Sequence, residues 1–318
     1  MATPLLGCRK KYRQAVRPMP VSIPADLMDH ALGDAGVVRW LSQLPRLIES
    51  VLADWALTTT GPVLTGSNAV VLMVVGQAGQ PCALKVGWPH PEAEHEHLAL
   101  RLWDGHGAVR LLRADPHRSA LLLERADHRR DLNARPVREA CETAAGLYRL
   151  LHQPATQQFA RLSVLAADWS RRLGQLRDHP LVPRRLVDRA TSLAATFASD
   201  PRTDGVLLHT DLHFDNVLGA TRAPWLAIDP KPLSGDPCFE VAPLLWNRWP
   251  EVTASGGVRA AILDRLYTVV DAAELDEDRV RDWVVVRQMV NVLWALESPL
   301  PDRDWLTKSI VVGKAAQR

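Results

Sequence analysis

The stretch Val206-Leu-Leu-His-Thr-Asp-Leu-His-Phe-Asp-Asn-Val-Leu218, followed by an apolar run that ends at Ile228 and Asp229, decides how this 318-residue sequence is read. Two short apolar runs, Val206–Leu208 and Val217–Leu218, enclose a polar loop, and a third, Trp225–Ile228, stops at a carboxylate. Apolar runs of this length between polar turns are strand-like. The loop therefore sets Asp211 and Asn216 at one corner, and the next hairpin brings Asp229 back to it. Moving a phosphoryl group onto a hydroxyl requires a carboxylate beside the attacking oxygen and hard oxygen ligands for Mg2+. Asp211 is the candidate to accept or orient the hydroxyl proton, and Asn216 and Asp229 are the candidate metal ligands. Scattered polar residues in surface loops are the competing reading, and the position of these groups at the ends of strand-like runs argues against it.

Upstream, Val38–Leu57 carries apolar residues at helical spacing, from Trp40 through Trp55. Ala69–Val75 and Cys82–Val86 are strand-like, Pro91–Asp104 is helical up to Gly105, and Val109–Arg113 and Ala120–Glu124 form two further strands. Residues 60–124 thus predict strand, strand, helix, strand, strand. After Asp127–Arg130 the pattern turns helical, with Pro136–His152, Leu162–Arg177 and Pro183–Ala198 before the quoted stretch, and Phe239–Trp249, Val258–Ala272 and Asp278–Leu296 after it. The expected architecture is α+β and bilobal: residues 1–125 hold an N-terminal strap and a small antiparallel-sheet lobe, and 126–318 a mostly helical lobe.

Composition excludes several classes. With 47% apolar and 23% charged residues and a formal net charge of +2, the chain has an ordinary globular balance and no global pull toward nucleic acid or anionic membrane. Four widely separated cysteines without a C-x-x-C pair predict free thiols in a reducing compartment. No apolar run reaches membrane-span length, so a cytoplasmic protein, monomeric or weakly dimeric, is expected.

The order Asp211, Asn216, Asp229 resembles the catalytic and metal-binding loops of the protein-kinase-like superfamily, and His-Thr-Asp-Leu-His-Phe-Asp-Asn resembles the aminoglycoside phosphotransferases. Ile228-Asp-Pro-Lys-Pro-Leu-Ser-Gly-Asp-Pro237, with Phe239-Glu-Val-Ala242 after it, is similar to the streptomycin and hydroxyurea phosphotransferase branch. The resemblance covers residues 60–300 and implies a small-molecule kinase that uses ATP and Mg2+ and confers antibiotic resistance by inactivation. Two departures from regulated protein kinases carry meaning. Thr210 stands where those enzymes have an arginine that answers an activation-loop phosphate, and Asp229-Pro230 replaces Asp-Phe-Gly, which together imply a constitutively competent enzyme.

On this resemblance Lys85, in Ala83-Leu-Lys-Val86, is the phosphate-gripping lysine. A buried ammonium needs an anion, and Glu96, which leads into the core-facing Leu98–Trp103, is preferred over Glu92 one turn away. Ser67 and Asn68, in Thr65–Asn68, are expected over the phosphates. The main chain around Glu124 and Ala126 is expected to meet the adenine edge. Asp236 and Glu240 are assigned to the acceptor, with anchoring of the loop from a helix start as the alternative for Glu240. Acidic residues outnumber basic ones about two to one from Asp264 to Asp304, a field that would draw a cationic acceptor, or equally a set of favourable helix-start charges. Trp246, Trp249, Trp283 and Trp294 are pocket candidates but more plainly core. A metabolite kinase of the same fold and a nucleotide-binding pseudokinase scaffold are the rival functions.

Overall fold

The computed structural model describes residues 35–66, 68–298 and 302–317. Of the strap expected over residues 1–35, residues 1–34 lie outside the described residues, as does the loop residue Ser67. Helix α1 (Ala35–Asp54) precedes a five-stranded antiparallel sheet built from β1 (Thr58–Thr65), β2 (Ala69–Val75), β3 (Pro81–Gly87), β4 (Leu111–Asp115) and β5 (Ala120–Glu124), in the order β1-β2-β3-β5-β4. Helix α2 (Glu96–Trp103) connects β3 to β4.

Strand alternation sorts this sheet into two faces. Val70, Leu72 and Val74 of β2, Cys82, Leu84 and Val86 of β3, and Ala120 and Leu122 of β5 pack against Trp40, Leu41, Leu44, Ile48, Val51 and Leu52 of α1. Met73, Ala83, Leu121 and Leu123 face the other way and join the main core of the molecule. Lys85 lies between Leu84 and Val86, so it shares the front face with Ala83. The two-residue period of the strand thereby aims an ammonium into the interior, while its neighbours hold the strand against α1.

Three departures from the sequence reading have physical causes. Strand β1 was not expected: Thr-Thr-Thr-Gly-Pro-Val-Leu-Thr carries no alternating apolar pattern because it is an edge strand, largely exposed along its first five residues. The helix expected from Pro91 begins at Glu96. Pro91–Ala93 forms a separate 3-10 turn, with a break at Glu94–His95 before α2 starts. A last helix, Arg303–Ala316, follows the expected ones.

The C-terminal region comprises α3 (Val137–Leu151), α4 (Leu162–Leu173), α5 (Arg184–Ser199), α6 (Ala242–Trp246), α7 (Trp249–Ala254), α8 (Val258–Ala273), α9 (Glu277–Glu297) and α10 (Arg303–Ala316). Two small sheets sit on this bundle. One pairs β6 (Asp127–Asp131) with β9 (Val217–Gly219) and β10 (Leu226–Ala227), and the other orders β7 (Gln153–Pro154), β8 (Val206–Leu208) and β11 (Leu233–Gly235) as β11-β8-β7. They carry the loops quoted at the outset. No helix among the described residues is long and apolar enough to cross a membrane.

Because α1 is held to the sheet by one apolar stripe, trimming its centre should loosen the whole N-terminal region. Ile48 is fully buried, and Ile48→Ala should cost about 2–5 kcal/mol. Urea denaturation should record a lowered midpoint, whereas truncation of the exposed Val38 on the same helix should leave it in place.

Candidate active site

A cleft of about 650 Å³ separates the sheet from the helical bundle, and its walls include Asn68, Lys85, Glu96, Glu124, Ala126, Asp211, Asn216 and Asp229. That volume lies within the range of small-molecule sites.

Lys85 is its centre. The Nζ lies 2.8 and 2.7 Å from the two carboxylate oxygens of Glu96 and also donates to Oδ1 of Asp229. Glu96 is in the first turn of α2, where the helix N-terminus favours its negative charge. Burial opposes the Lys85 charge, but the fields and hydrogen bonds of Glu96 and Asp229 outweigh it and hold the ammonium above the ordinary lysine range. Burial likewise works against the Asp229 charge, and Lys85 overrides it to bring that carboxyl down to about 2. Removing Glu96 from its buried pair with Lys85 would strand the ammonium and cost about 3–5 kcal/mol.

The loop between β8 and β9 is held from below by Glu240. Its Oε1 accepts from the His209 and Thr210 amides, and its carbonyl accepts from the Tyr148 hydroxyl at 2.9 Å. These bonds support a left-handed Thr210 (φ 60°), whose hydroxyl donates to the Lys231 carbonyl at 2.6 Å. Left-handed backbone costs a non-glycine residue about 1–2 kcal/mol, and Asp229 at φ 56° carries the same strain. Both residues lie at the cleft end of the bundle, and the same backbone conformation recurs away from it at Ala56, Asp104, Ser119, Arg248 and Glu274.

His209 is wholly buried, and its pairing selects one tautomer. Nε2 lies 2.9 Å from the Ile228 carbonyl, and Nδ1 accepts from the Asp211 amide at 3.3 Å. A neutral ring protonated on Nε2 satisfies both contacts, and burial lowers the His209 pKa to about 4. One side chain thus links the Asp211 loop to the strand that ends at Asp229. Asn216 donates its Nδ2 to the Asp211 carbonyl at 2.9 Å, which leaves Oδ1 as the acceptor. Asp215 is fastened to Asn133, His213 and Asn247, and Asn247 Oδ1 accepts from the Phe214 amide at 2.6 Å.

A divalent cation fits this donor set. Asn216 Oδ1 and the Asp229 carboxylate are hard oxygens on the cleft wall, and no cluster of three or more His, Cys, Asp or Glu able to hold a metal exists among the described residues. Mg2+ binds in that manner, through one or two protein oxygens with phosphates and water completing its shell.

Several expectations require correction. Asp236 is buried and turned into the bundle, where its carboxylate takes hydrogen bonds from Arg279, Trp283 Nε1 and the Cys238 amide. It does not line the cleft. Glu240 is fully buried under the Asp211 loop and anchors it from a helix start, which is the other reading given for it, so neither residue is positioned for an acceptor. Glu124 and Ala126 both line the cleft, and of the Glu124 groups the amide is taken by the Arg110 carbonyl at 2.9 Å and the carboxylate by Arg222. The acids between Asp264 and Asp304 do not line the cleft, and for the tightest cluster the helix-start reading holds: Asp276 caps α9 through the Arg279 amide with Glu277 and Asp278 in its first turn, while Asp264 pairs with Arg138, Asp282 with Arg189 and Glu297 with Arg172. Trp283 is core, as its helical spacing favours, and stacks on Phe197 at 3.9 Å between centroids. Lys231 was not anticipated. It lines the cleft with its Nζ 2.9 Å from Asp211 Oδ2 and 3.6 Å from Glu92 Oε2. A basic residue two places after Asp229 was the signal that could have found it.

A front-sheet lysine held by a helix glutamate, facing an Asp–Asn loop and a second Asp across a cleft, defines a phosphotransferase of the protein-kinase-like class. Comparison with known proteins narrows the class. Residues 54–298 match the family model described as aminoglycoside/hydroxyurea antibiotic resistance kinase. Hydroxyurea phosphotransferase of Kitasatospora aureofaciens is 38% identical over 93% of this chain and 87% of its own length. Streptomycin 6-kinase of Streptomyces glaucescens is 37% identical over 84% and 87%. Among solved structures, a thermostable mutant of an aminoglycoside phosphotransferase in ternary complex with ADP and hygromycin B shares the fold, with a TM-score of 0.57 at 15% identity over 84% of this chain and 96% of that one. The chain belongs to the aminoglycoside/hydroxyurea antibiotic resistance kinase family and is a phosphotransferase with a small-molecule hydroxyl as acceptor.

Two buried imidazoles, His209 and His152, are each lowered by burial from 6.5 to about 4. Unfolded, they take up protons near pH 6.5 that the folded chain refuses, so their contribution to stability falls as pH drops from 6.5 toward 4 and is absent from the balance above that window. Glu240, raised by burial from 4.5 to about 7, acts in the opposite sense across the same range. A difference measurement reports His152 together with its effect on Glu240, whose Oε1 lies 3.9 Å from His152 Nε2. The stability of His152→Phe relative to wild type should rise by up to about 1.4 kcal/mol per pH unit on acidification through this window. Urea midpoints of the two proteins from pH 7.5 to 4.5 supply the test, and a pH-independent difference refutes the neutral, buried imidazole.

Proposed function

We propose that this chain transfers the γ-phosphate of ATP, bound with Mg2+, to a hydroxyl of hydroxyurea or of a streptomycin-type aminoglycoside, inactivating the drug in the cytoplasm. The observation that carries this reading is the contact of Lys85 with Asp229 across the cleft, joining residues 144 positions apart. It supports one compartment with a phosphate-neutralising cation on one wall and oxygen donors on the other. The two curated relatives, named for hydroxyurea and streptomycin, support the acceptor class.

In this reading the nucleotide lies beneath β1 and β2, with Asn68 over its phosphates and the main chain at Ala126 beside its base. Lys85, fixed by Glu96, neutralises phosphate charge. Asn216 and Asp229 hold Mg2+, which supplies charge neutralisation on the phosphates when bound. Asp211 accepts a hydrogen bond from the acceptor hydroxyl and orients it in line with the γ-phosphorus. The acceptor oxygen bonds to phosphorus as the bond to the β–γ bridging oxygen breaks. The hydroxyl proton passes to Asp211, and ADP leaves with the electron pair. Positioning and charge stabilisation provide the rate, since the protein forms no covalent bond.

An ADP-release assay against streptomycin, hydroxyurea and unrelated alcohols, with the product mass measured, tests the reading. Wild type should add one phosphoryl group to at least one of the two drugs. Asp211→Ala should lower turnover by about 10²–10⁴-fold while ADP binding is retained. Near-normal turnover in that variant removes Asp211 from its role, and failure to phosphorylate either drug removes the acceptor assignment.

A further inference from the structure

Of the lysines and arginines among the described residues, the cleft is lined by two, Lys85 and Lys231. Lys85 is committed: it is buried in the sheet and held by Glu96 and Asp229. Lys231 is on the opposite wall, two residues beyond Asp229, and its backbone is locked on both sides. Its amide donates to the His209 carbonyl at 3.0 Å, and its carbonyl accepts from the Thr210 hydroxyl. The side chain, anchored at its root, reaches the carboxylate proposed to orient the acceptor, 2.9 Å away, and touches Glu92 from the sheet side of the cleft at 3.6 Å.

We propose that Lys231 is a catalytic residue: its ammonium leaves Asp211 and Glu92 when ATP binds and contacts the γ-phosphoryl oxygens on the acceptor side during transfer. The role rests on the phosphoryl transfer proposed above. Its chemical basis is charge. A γ-phosphoryl group approaching Asp211 brings negative oxygens toward a carboxylate, and the incoming acceptor oxygen adds electron density as its proton departs. Lys85 cannot serve that side without abandoning Glu96, whose buried carboxylate would then lack its cation. Lys231 can serve it, and in the nucleotide-free state it neutralises the same carboxylate that would otherwise repel the phosphoryl group.

The energies permit the exchange. The Lys231 side chain is 31% exposed, against 49% for Glu92 and 17% for Asp211. The half-open Glu92 contact is weak, and the closer, less exposed Asp211 contact is a charge-assisted hydrogen bond that a phosphoryl oxygen replaces in kind. The ammonium therefore keeps an anionic partner when it turns to the phosphoryl group, and Asp211 is freed to meet the hydroxyl. In the transfer itself the new bond runs from acceptor oxygen to phosphorus, the bond from phosphorus to the bridging oxygen breaks, the proton goes to Asp211 and the charge on ADP is balanced by Lys85. Lys231 remains protonated throughout.

The experiment compares nucleotide states that differ only at the γ-position. Affinities of wild type, Lys231→Met and Lys231→Arg for ADP, and for ADP with aluminium fluoride as a planar phosphoryl mimic, are measured by calorimetry beside turnover with streptomycin and hydroxyurea. Lys231→Met should bind ADP as wild type does, bind the fluoride complex at least tenfold more weakly, and lose about 10²-fold in kcat. Lys231→Arg should recover part of both losses. A merely structural lysine would weaken ADP and the fluoride complex alike, and that result, or unchanged affinity for the fluoride complex in Lys231→Met, overturns the proposal. Because the fluoride measurement needs no acceptor, a wild type that ignores both drugs yet shows this discrimination would reject the acceptor assignment and leave Lys231 in its role.

Discussion

Lys85 reaches Glu96 through a distance of 2.7 Å and also meets Asp229, and the rest of the architecture is arranged around that three-way contact. A buried ammonium is tolerated only when its charge is answered. Here the answering carboxylates come from a helix of the sheet region and from the end of a strand in the helical region. The same two carboxylates keep the cation in place and leave a charged cleft between the regions. The sheet region by itself pairs Lys85 with Glu96, and the helical region adds Asp229, so the contact across the cleft needs both.

The second constraint is the rigidity of the loop that carries Asp211. Glu240 below it, His209 beside it and Asn216 across it satisfy backbone groups at a turn that passes through left-handed Thr210. Each interaction is local to the bundle. Together they fix the backbone at Asp211 while leaving its carboxylate to Lys231. Buried polar groups are costly unless satisfied, and here Glu240, His209 and Asn216 each satisfy a backbone group of the loop.

Much of this was legible in advance for a physical reason. Strands β2, β3 and β5 and helices α8 and α9 fall close to where the apolar periodicity places them, because both faces of those strands and most of α9 are buried. Edge strand β1 was illegible because exposed threonines carry no period. The break before α2 escaped notice because Pro91 marks a helix start equally well for a single 3-10 turn. Glu96 was preferred from its run into Leu98–Trp103, and it is the carboxylate beside Lys85. The acids of the C-terminal helices read equally as an acceptor field or as helix-start charges, and Asp276, Glu277 and Asp278 do start α9, whereas the arginines that pair with Asp264, Asp282 and Glu297 come from other elements and leave no mark in the local charge.

By itself the sequence determined which residue types meet the demands of phosphoryl transfer and in what order they occur, because Asp211, Asn216 and Asp229 are spaced by short elements whose geometry is local. It also determined that Lys85 would face inward, since a strand has a two-residue period. What only the tertiary structure decided was the partnership between groups far apart in the chain. It set Asp236 against Arg279 rather than the cleft, Glu240 beneath the loop rather than beside an acceptor, and Lys231 against Asp211. Those choices follow from how helices and hairpins pack in three dimensions. A side chain's partner depends on which surfaces meet, and that information is absent from the order of residues along either one.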